Sequence, residues 1–96
     1  MTDSASFDVQ HEPAAKRFVV RTAGETAVAA YEREGDVVRF VHTLVPGSIE
    51  GNGVATAMAR SALAWAREEG LTVEPQCGFF AGYMAKHPEY EDLRAG

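Results

Sequence analysis

The order of apolar and polar positions predicts strands in the first half of the chain and helices in the second. Three short apolar runs occupy residues 16–21, 26–31 and 37–44. Glycine-containing turns separate them, Ala23-Gly24-Glu25 and Glu34-Gly35-Asp36. Apolar runs divided by such turns are typical of an antiparallel meander.

A long amphipathic helix is predicted after the third strand. Apolar residues recur there at helical spacing, namely Ala55, Met58, Ala59, Ala62 and Ala66. Gly70 is the expected end of this helix. Leu71-Thr72-Val73-Glu74 follows as a fourth strand, and because a helix separates it from the third strand, we expect parallel pairing.

A second helix is predicted for residues 78–86, ending before Pro88. The predicted fold class is therefore α+β, with three antiparallel strands, a crossover helix, a parallel fourth strand and a C-terminal helix. Residues 1–6 are expected to form a flexible tail, and residues 7–96 a single domain.

Composition narrows the function classes. The chain has 96 residues, 46% of them hydrophobic and 24% charged, as in an ordinary globular domain. A net charge of −5 opposes binding to nucleic acid or to an anionic membrane surface. The apolar runs are too short to span a membrane. The N-terminus lacks the apolar core of a signal peptide. The single cysteine suits a reducing compartment, where disulfides are rare. We therefore expect a cytoplasmic protein.

A glycine turn precedes the first predicted helix. Gly51-Asn52-Gly53 places two residues without a Cβ where the helix begins, so a ligand can approach the main chain closely. Unpaired N–H groups and the positive end of the helix dipole favour an anion at such a position. The alternative is a turn with a structural role only.

Taken together, these motifs resemble the GCN5-related N-acetyltransferases, specifically their minimal single-domain branch. The resemblance covers nearly the whole chain in order, through Phe18, Tyr31, His42-Thr43-x-Val45-Pro46, Gly51-x-Gly53-x-Ala55, Pro75-x-Cys77, Tyr83 and His87-Pro88-Glu89-Tyr90. Two positions depart from the family pattern. Ser48 stands where longer members carry Gln or Arg, and Glu50 stands where small relatives often show Arg.

The resemblance implies acetyl-CoA as co-substrate. Its pyrophosphate is expected on the main-chain N–H groups of Gly51, Asn52, Gly53, Val54 and Ala55. The main chain of Thr43, Leu44 and Val45 is expected to pair with the pantetheine arm and to polarise the thioester carbonyl.

Three side chains are candidate catalytic residues, each with a structural alternative. Cys77 precedes a helix N-terminus, which favours a thiolate that could relay the acetyl group, but a lone cysteine is also a common core residue. Because side chains alternate along a strand, we expect His42 on the same face as Val38, Phe40 and Leu44. Its two candidate roles are a general base and a hydrogen-bonded core residue. The resemblance gives Tyr83 the role of protonating the CoA thiolate, with packing on the sheet as the alternative.

Other charged residues are expected to serve as solvated surface. Lys86 and Arg60 fall in this class, with contact to the terminal phosphate of the cofactor as the alternative. His11 and His87 lack partners at metal-ligand spacing, so no metal site is predicted.

Three functions remain open at this point. The first is a small acetyltransferase that acts on an unidentified amine, directly or through Cys77. The second is a non-catalytic module that binds CoA or acetyl-CoA and acts through a protein partner, because the chain lacks room for an acceptor-binding insertion between its first two strands. The third, which rests on Ser48 and Glu50, is a scaffold without a working cofactor site. The expected oligomeric state is a monomer or a weak homodimer, since a small sheet has exposed edges.

Overall fold

A five-stranded sheet and two helices form the core of the computed structural model, which describes residues 7–51 and 53–95. The strands lie in sheet order as β1 Val9–Glu12, β2 Arg17–Thr22, β3 Glu25–Glu34, β4 Val37–Leu44 and β5 Thr72–Pro75. Helix α1, Val54–Glu68, connects β4 to β5, and helix α2, Gly78–Lys86, follows β5. Short 3₁₀ helices span Pro13–Ala15, Gly47–Ile49 and Pro88–Leu93. The predicted tail at residues 1–6 and Asn52 lie outside the described residues.

The α+β class is confirmed, with one strand more than the sequence predicted. β1 pairs antiparallel with β2, from Val9 opposite Val20 to Glu12 opposite Arg17. The sequence prediction overlooked β1 because its residues after Val9 are polar and form no apolar run. The parallel pairing of β4 with β5 agrees with the crossover prediction.

β4 contains a bulge that changes which side chains face the core. Tyr31 of β3 pairs with Phe40, whereas the preceding residue Ala30 pairs with His42, so Val41 is an extra residue in β4. An extra residue reverses the alternation of side chains beyond it. Phe40 is therefore fully buried, while His42 is exposed.

The prediction that His42 shares a face with Val38 and Phe40 is consequently wrong. Alternation with a period of two holds only in a regular strand, and the bulge places His42 and Leu44 on the opposite, solvent-facing side. Leu44 is 66% exposed as a result. His42 is not a hydrogen-bonded core residue.

Both helices cover the same face of the sheet. Phe40 contacts its cross-strand neighbour Tyr31 with ring centroids 5.9 Å apart, and Tyr31 contacts Trp65 of α1 at 5.1 Å. On the same face, Phe80 of α2 stacks on Phe40 at 4.2 Å with nearly parallel rings. This aromatic chain joins the sheet and both helices in one hydrophobic core.

The N-terminal edge strand is held to the core by His11. Its ring stacks on Phe18 at 4.2 Å and meets the edge of Trp65 at 4.7 Å. The His11 Nε2 atom and the Tyr31 hydroxyl are 2.6 Å apart, a hydrogen-bond distance. Burial lowers the pKa of His11, against a weaker opposing effect of the Glu69 carboxylate. The neutral imidazole is therefore the form that fits this cluster.

We expect stability to decrease on mild acidification because of His11. Since the folded state lowers the pKa of His11 below its ordinary value of 6.5, the unfolded state binds this proton more readily. The free energy of unfolding contributed by His11 is complete above pH 6.5 and is lost as the pH falls through 6.5 towards the folded-state pKa. Urea unfolding of the native protein and of His11→Phe, at about pH 7.5 and about pH 5.5, measures this effect. An equal pH dependence in both proteins would contradict it.

Candidate functional site

The bulge coincides with the point at which β4 and β5 separate. Their parallel register ends with Phe40 opposite Pro75. The carbonyl oxygen of Phe40 accepts hydrogen bonds from the main-chain N–H groups of Gln76, at 3.1 Å, and Cys77, at 2.9 Å. In the described part of the chain, no ladder pair joins the two strands beyond this position. The edge of residues 43–45 that faces β5 is therefore open for an extended ligand to pair with.

Helix α1 begins beside this open edge with a glycine-dependent turn. Gly51 and Gly53 have φ angles of +85° and +87°, in the left-handed region that favours glycine. Gly53 is the N-cap, and no side chain among residues 7–51 and 53–95 caps the helix. The first intrahelical bond runs from the Ala57 N–H to the Gly53 carbonyl, at 2.9 Å. The N–H groups that come before Ala57 in the first turn of α1 thus have no acceptor within the helix, and they can bind an anion.

A single cavity joins the open strand edge to the helix N-terminus. Its volume is about 390 Å³, within the usual range for a small-molecule site. The lining comes from the end of β4, the connection between β4 and α1, the first turn of α1 and one residue of α2. The lining residues are Thr43, Val45, Ile49, Glu50, Gly51, Gly53, Val54, Ala55, Thr56 and Phe79.

These residues fit the expected coenzyme. Apart from the flanking residues, no described atom lies within 4 Å of the position that a Cβ would occupy on Gly51 or Gly53, so the main chain there is open to phosphate oxygens. No acidic residue occupies the first turn of α1, which leaves the positive end of its dipole uncompensated. Among the described residues of the lining, Glu50 is the one carboxylate, and it is exposed to solvent. Ser48 lies outside the lining, where its hydroxyl donates to Glu25 at 3.1 Å.

Cys77 contacts this cavity through Thr43. The Thr43 Oγ1 and Cys77 Sγ atoms are 3.2 Å apart, across the gap between β4 and β5. Cys77 is half-buried at the N-cap of α2, and its side chain does not cap that helix. The sulfur atom is thus held beside the cavity, without forming part of its lining.

Tyr83 and His42 lie apart from the Thr43–Cys77 pair. Tyr83 is 8% exposed and lines a separate groove next to the cavity. Burial, with a smaller contribution from the neighbouring Tyr90, raises the pKa of Tyr83 to about 12, so its hydroxyl is protonated at neutral pH. His42 is on the opposite, exposed face of the sheet. The three candidates therefore lie in different places, Cys77 beside Thr43, Tyr83 in the groove and His42 on the exposed face of the sheet.

Sequence reasoning missed several residues of the cavity. Ile49, 3% exposed, reaches it from the 3₁₀ helix, and Thr56 belongs to the first turn of α1. Their positions next to the glycine turn were a signal that could have identified them. Phe79 comes from α2, and no local pattern indicates that this helix packs near the start of α1.

Among the residues that the structure describes, no three His, Cys, Asp or Glu side chains are grouped so that they could hold a metal ion. No helix in this part of the chain has the length and apolar character needed to cross a membrane.

An open strand edge next to a glycine-flanked helix N-terminus is the arrangement that the resemblance led us to expect. Residues 17–93 match the family model described as GCN5-related N-acetyl-transferase. The chain is also similar to protein NATD1 of Xenopus tropicalis, with 33% identity over 91 residues, 92% of this chain and 84% of that protein. With protein NATD1 of Homo sapiens, identity is 34% over 83 residues, 83% of this chain and 74% of that protein.

A solved structure shows the same fold. The solution structure of a GCN5-like protein from Staphylococcus aureus matches with a TM-score of 0.75 at 20% identity, over 96% of this chain and 91% of that one. Because the family model matches residues 17–93 and protein NATD1 of Xenopus tropicalis is 33% identical over 92% of this chain, the chain belongs to the GCN5-related N-acetyltransferase family.

The conformational requirement of the turn before α1 can be tested by comparing a glycine that has a positive φ with one that does not. We expect Gly53→Ala to lower the free energy of unfolding by about 1–2 kcal/mol, because a side chain is strained in the left-handed region. Gly47→Ala is the matched control, since Gly47 lies in the same connection, has no positive φ and has open space around its Cβ position. Urea unfolding measures both variants. A loss in the control as large as that in Gly53→Ala would contradict this account of the turn.

Proposed function

We propose that the protein is an N-acetyltransferase that takes an acetyl group from acetyl-CoA and transfers it to an amine. The observation that carries this proposal is the single cavity in which an unpaired strand edge leads to the uncapped N-terminus of α1. Family membership supports the same reaction class.

Main-chain groups would bind most of the coenzyme. The N–H groups that begin α1, from Gly53 to Ala55, would hold the pyrophosphate, where the helix dipole favours negative charge. The open edge at residues 43–45 would pair with the pantetheine amides as an added strand does. An N–H group on that edge would stabilise the negative charge that develops on the thioester oxygen.

Two side chains would donate and accept the protons that move during the transfer. The acceptor amine forms a bond to the acetyl carbon, the carbon–sulfur bond breaks, and the amine loses one proton while the sulfur gains one. Tyr83 is protonated at neutral pH and would donate to the departing thiolate, although a pKa of about 12 makes its hydroxyl a weak acid for this step. His42 is exposed on the outer face and would accept a proton from an amine that arrives there.

Cys77 allows a second route. In that route its thiolate attacks the acetyl carbon and releases CoA, and the amine then attacks the Cys77 thioester. The sulfur atom does not line the cavity and is hydrogen-bonded to Thr43, which favours direct transfer to the amine.

A CoA-binding module without catalysis is the alternative. Its motivation is the connection between β2 and β3, which consists of Ala23 and Gly24, both with positive φ angles. Such a tight hairpin contains no segment that could hold an acceptor. This alternative predicts coenzyme binding without turnover on any amine.

Coenzyme binding is the first property to test. We expect acetyl-CoA and CoA to raise the thermal unfolding midpoint by about 10–20 °C at 100 times the dissociation constant, where a ligand adds about 2.7 kcal/mol. ATP is the control for non-specific nucleotide binding. Absence of a shift with both CoA forms at millimolar concentration would contradict the proposal and would favour a scaffold without a cofactor site.

The direct route makes a separate prediction for Cys77. We expect Cys77→Ala to retain turnover within about tenfold, because the cavity lining and its main-chain donors are unchanged. Steady-state kinetics with a panel of amines measures turnover, and intact-mass analysis after incubation with acetyl-CoA detects an acetylated protein. A loss of about a thousandfold or more, together with an acetyl group on Cys77 in the native protein, would establish the relay instead.

A further inference from the structure

The outer face of the sheet, opposite the helices, carries a row of apolar side chains that ends at the gap between β4 and β5. Val19, Val28 and Leu44 lie side by side on β2, β3 and β4, because Val28 pairs with Val19 on one side and with Leu44 on the other. Val19 is buried, Val28 is half-buried and Leu44 is 66% exposed. The row is therefore most accessible where it reaches the gap.

His42 lies in the next row of the same face. It pairs with Ala30 of β3, which pairs in turn with Arg17 of β2. The Arg17 Nε atom is 2.7 Å from a carboxylate oxygen of Glu12, so its charge is directed towards the far edge of the sheet. Leu44 follows His42 by two residues. Side chains two residues apart in an extended polypeptide have the same spacing, about 7 Å, and face the same side.

Carboxylates border His42 on the side away from the apolar row. Glu32 lies two residues beyond the cross-strand partner of His42, on the same face of β3, and is exposed. It is opposite Arg39, whose guanidinium group donates to Glu34 and Glu74 at 2.9 Å each. Three carboxylates thus accompany one guanidinium group, and this end of the outer face has an excess of negative charge. His42 lies between an apolar end and an acidic end.

A polypeptide fits this surface better than a small amine does. A small molecule is held by a concave site that encloses most of its surface. Because His42 and Leu44 are exposed, no described residue encloses this position. An extended polypeptide gains affinity on an open surface from a few anchoring side chains, and its cationic residues complement the acidic end. A second copy of this chain, with a net charge of −5, would bring like charges together.

We propose that the outer face around His42 docks a polypeptide, and that a lysine side chain within this polypeptide supplies the acceptor amine. The inference rests on the proposed function and extends it by naming the substrate class. Leu44 contacts an apolar residue two positions from the lysine, and Glu32 attracts a basic residue two positions away on the other side. The amine belongs to an internal residue because groups that recognise neighbours lie on both sides of His42.

Steady-state kinetics with synthetic heptapeptides tests this substrate class. Each peptide has a blocked N-terminus and one lysine, with leucine two positions to one side and arginine two positions to the other. Both orders are measured, and the faster is used. We expect replacement of the leucine by serine to lower kcat/KM about tenfold, and replacement of the arginine by glutamine to lower it about threefold. Spermidine, a small polycation, should react at least about tenfold more slowly than the peptide.

Protein variants test the two recognition residues. Leu44→Ser should acetylate the leucine and serine peptides equally well, and Glu32→Gln should do the same for the arginine and glutamine peptides. The preference for arginine should also weaken in about 0.5 M NaCl, whereas the preference for leucine should persist. Glu68→Gln, which changes an exposed carboxylate of α1, is the matched control and should keep both preferences. Circular dichroism verifies that each variant is folded.

The outcomes separate this inference from the proposed function. If spermidine or simple amines react as fast as the peptides, the substrate class is overturned while acetyl transfer stands. A leucine preference that persists in Leu44→Ser overturns the docking position. Sedimentation of the native protein as a dimer and of Leu44→Ser as a monomer would make this face an interface between copies and would likewise overturn the inference. If no amine or peptide is acetylated, the proposed function fails as well.

Discussion

One extra residue in a strand determines the arrangement of the whole site. Val41 interrupts the pairing of β3 with β4, and the ladder between β4 and β5 ends at Phe40, immediately before it. Beyond this point β4 keeps its hydrogen bonds to β3 and has an unpaired edge towards β5. A bulge that ends pairing next to a functional site is a recurrent use of this irregularity. The cavity, the Thr43–Cys77 contact and the exposure of His42 all follow from it.

Local sequence signals predicted the elements that local interactions determine. The apolar period of α1 and the stop at Gly70 were predicted correctly. Gly70 has a φ of +71°, and the Leu71 N–H donates to the Ala66 carbonyl at 2.9 Å, as expected for a glycine that ends a helix. The glycine turn before α1 was recognisable for the same reason, because a left-handed main chain leaves a mark in the residue type.

The features that the sequence did not predict depend on partners in other elements of the fold. β1 has no apolar run of its own, and it is stabilised by β2 and by the contacts of His11 with Phe18 and Trp65. The face on which His42 lies depends on a register set against Ala30, twelve residues earlier. The groove beside the cavity forms only when α2 packs near α1. Apolar periodicity describes one element at a time, so it reveals none of these contacts between elements.

The reversal at Val41 also divides one short segment between two surfaces. Thr43 and Val45 line the cavity, while His42 and Leu44 point to the other side of the sheet. A substitution at Leu44 alters the outer surface and leaves the cavity lining as it is. Related proteins can therefore diverge at Leu44, whereas Thr43 and Val45 are constrained by the cavity and His42 by its proposed role with the amine.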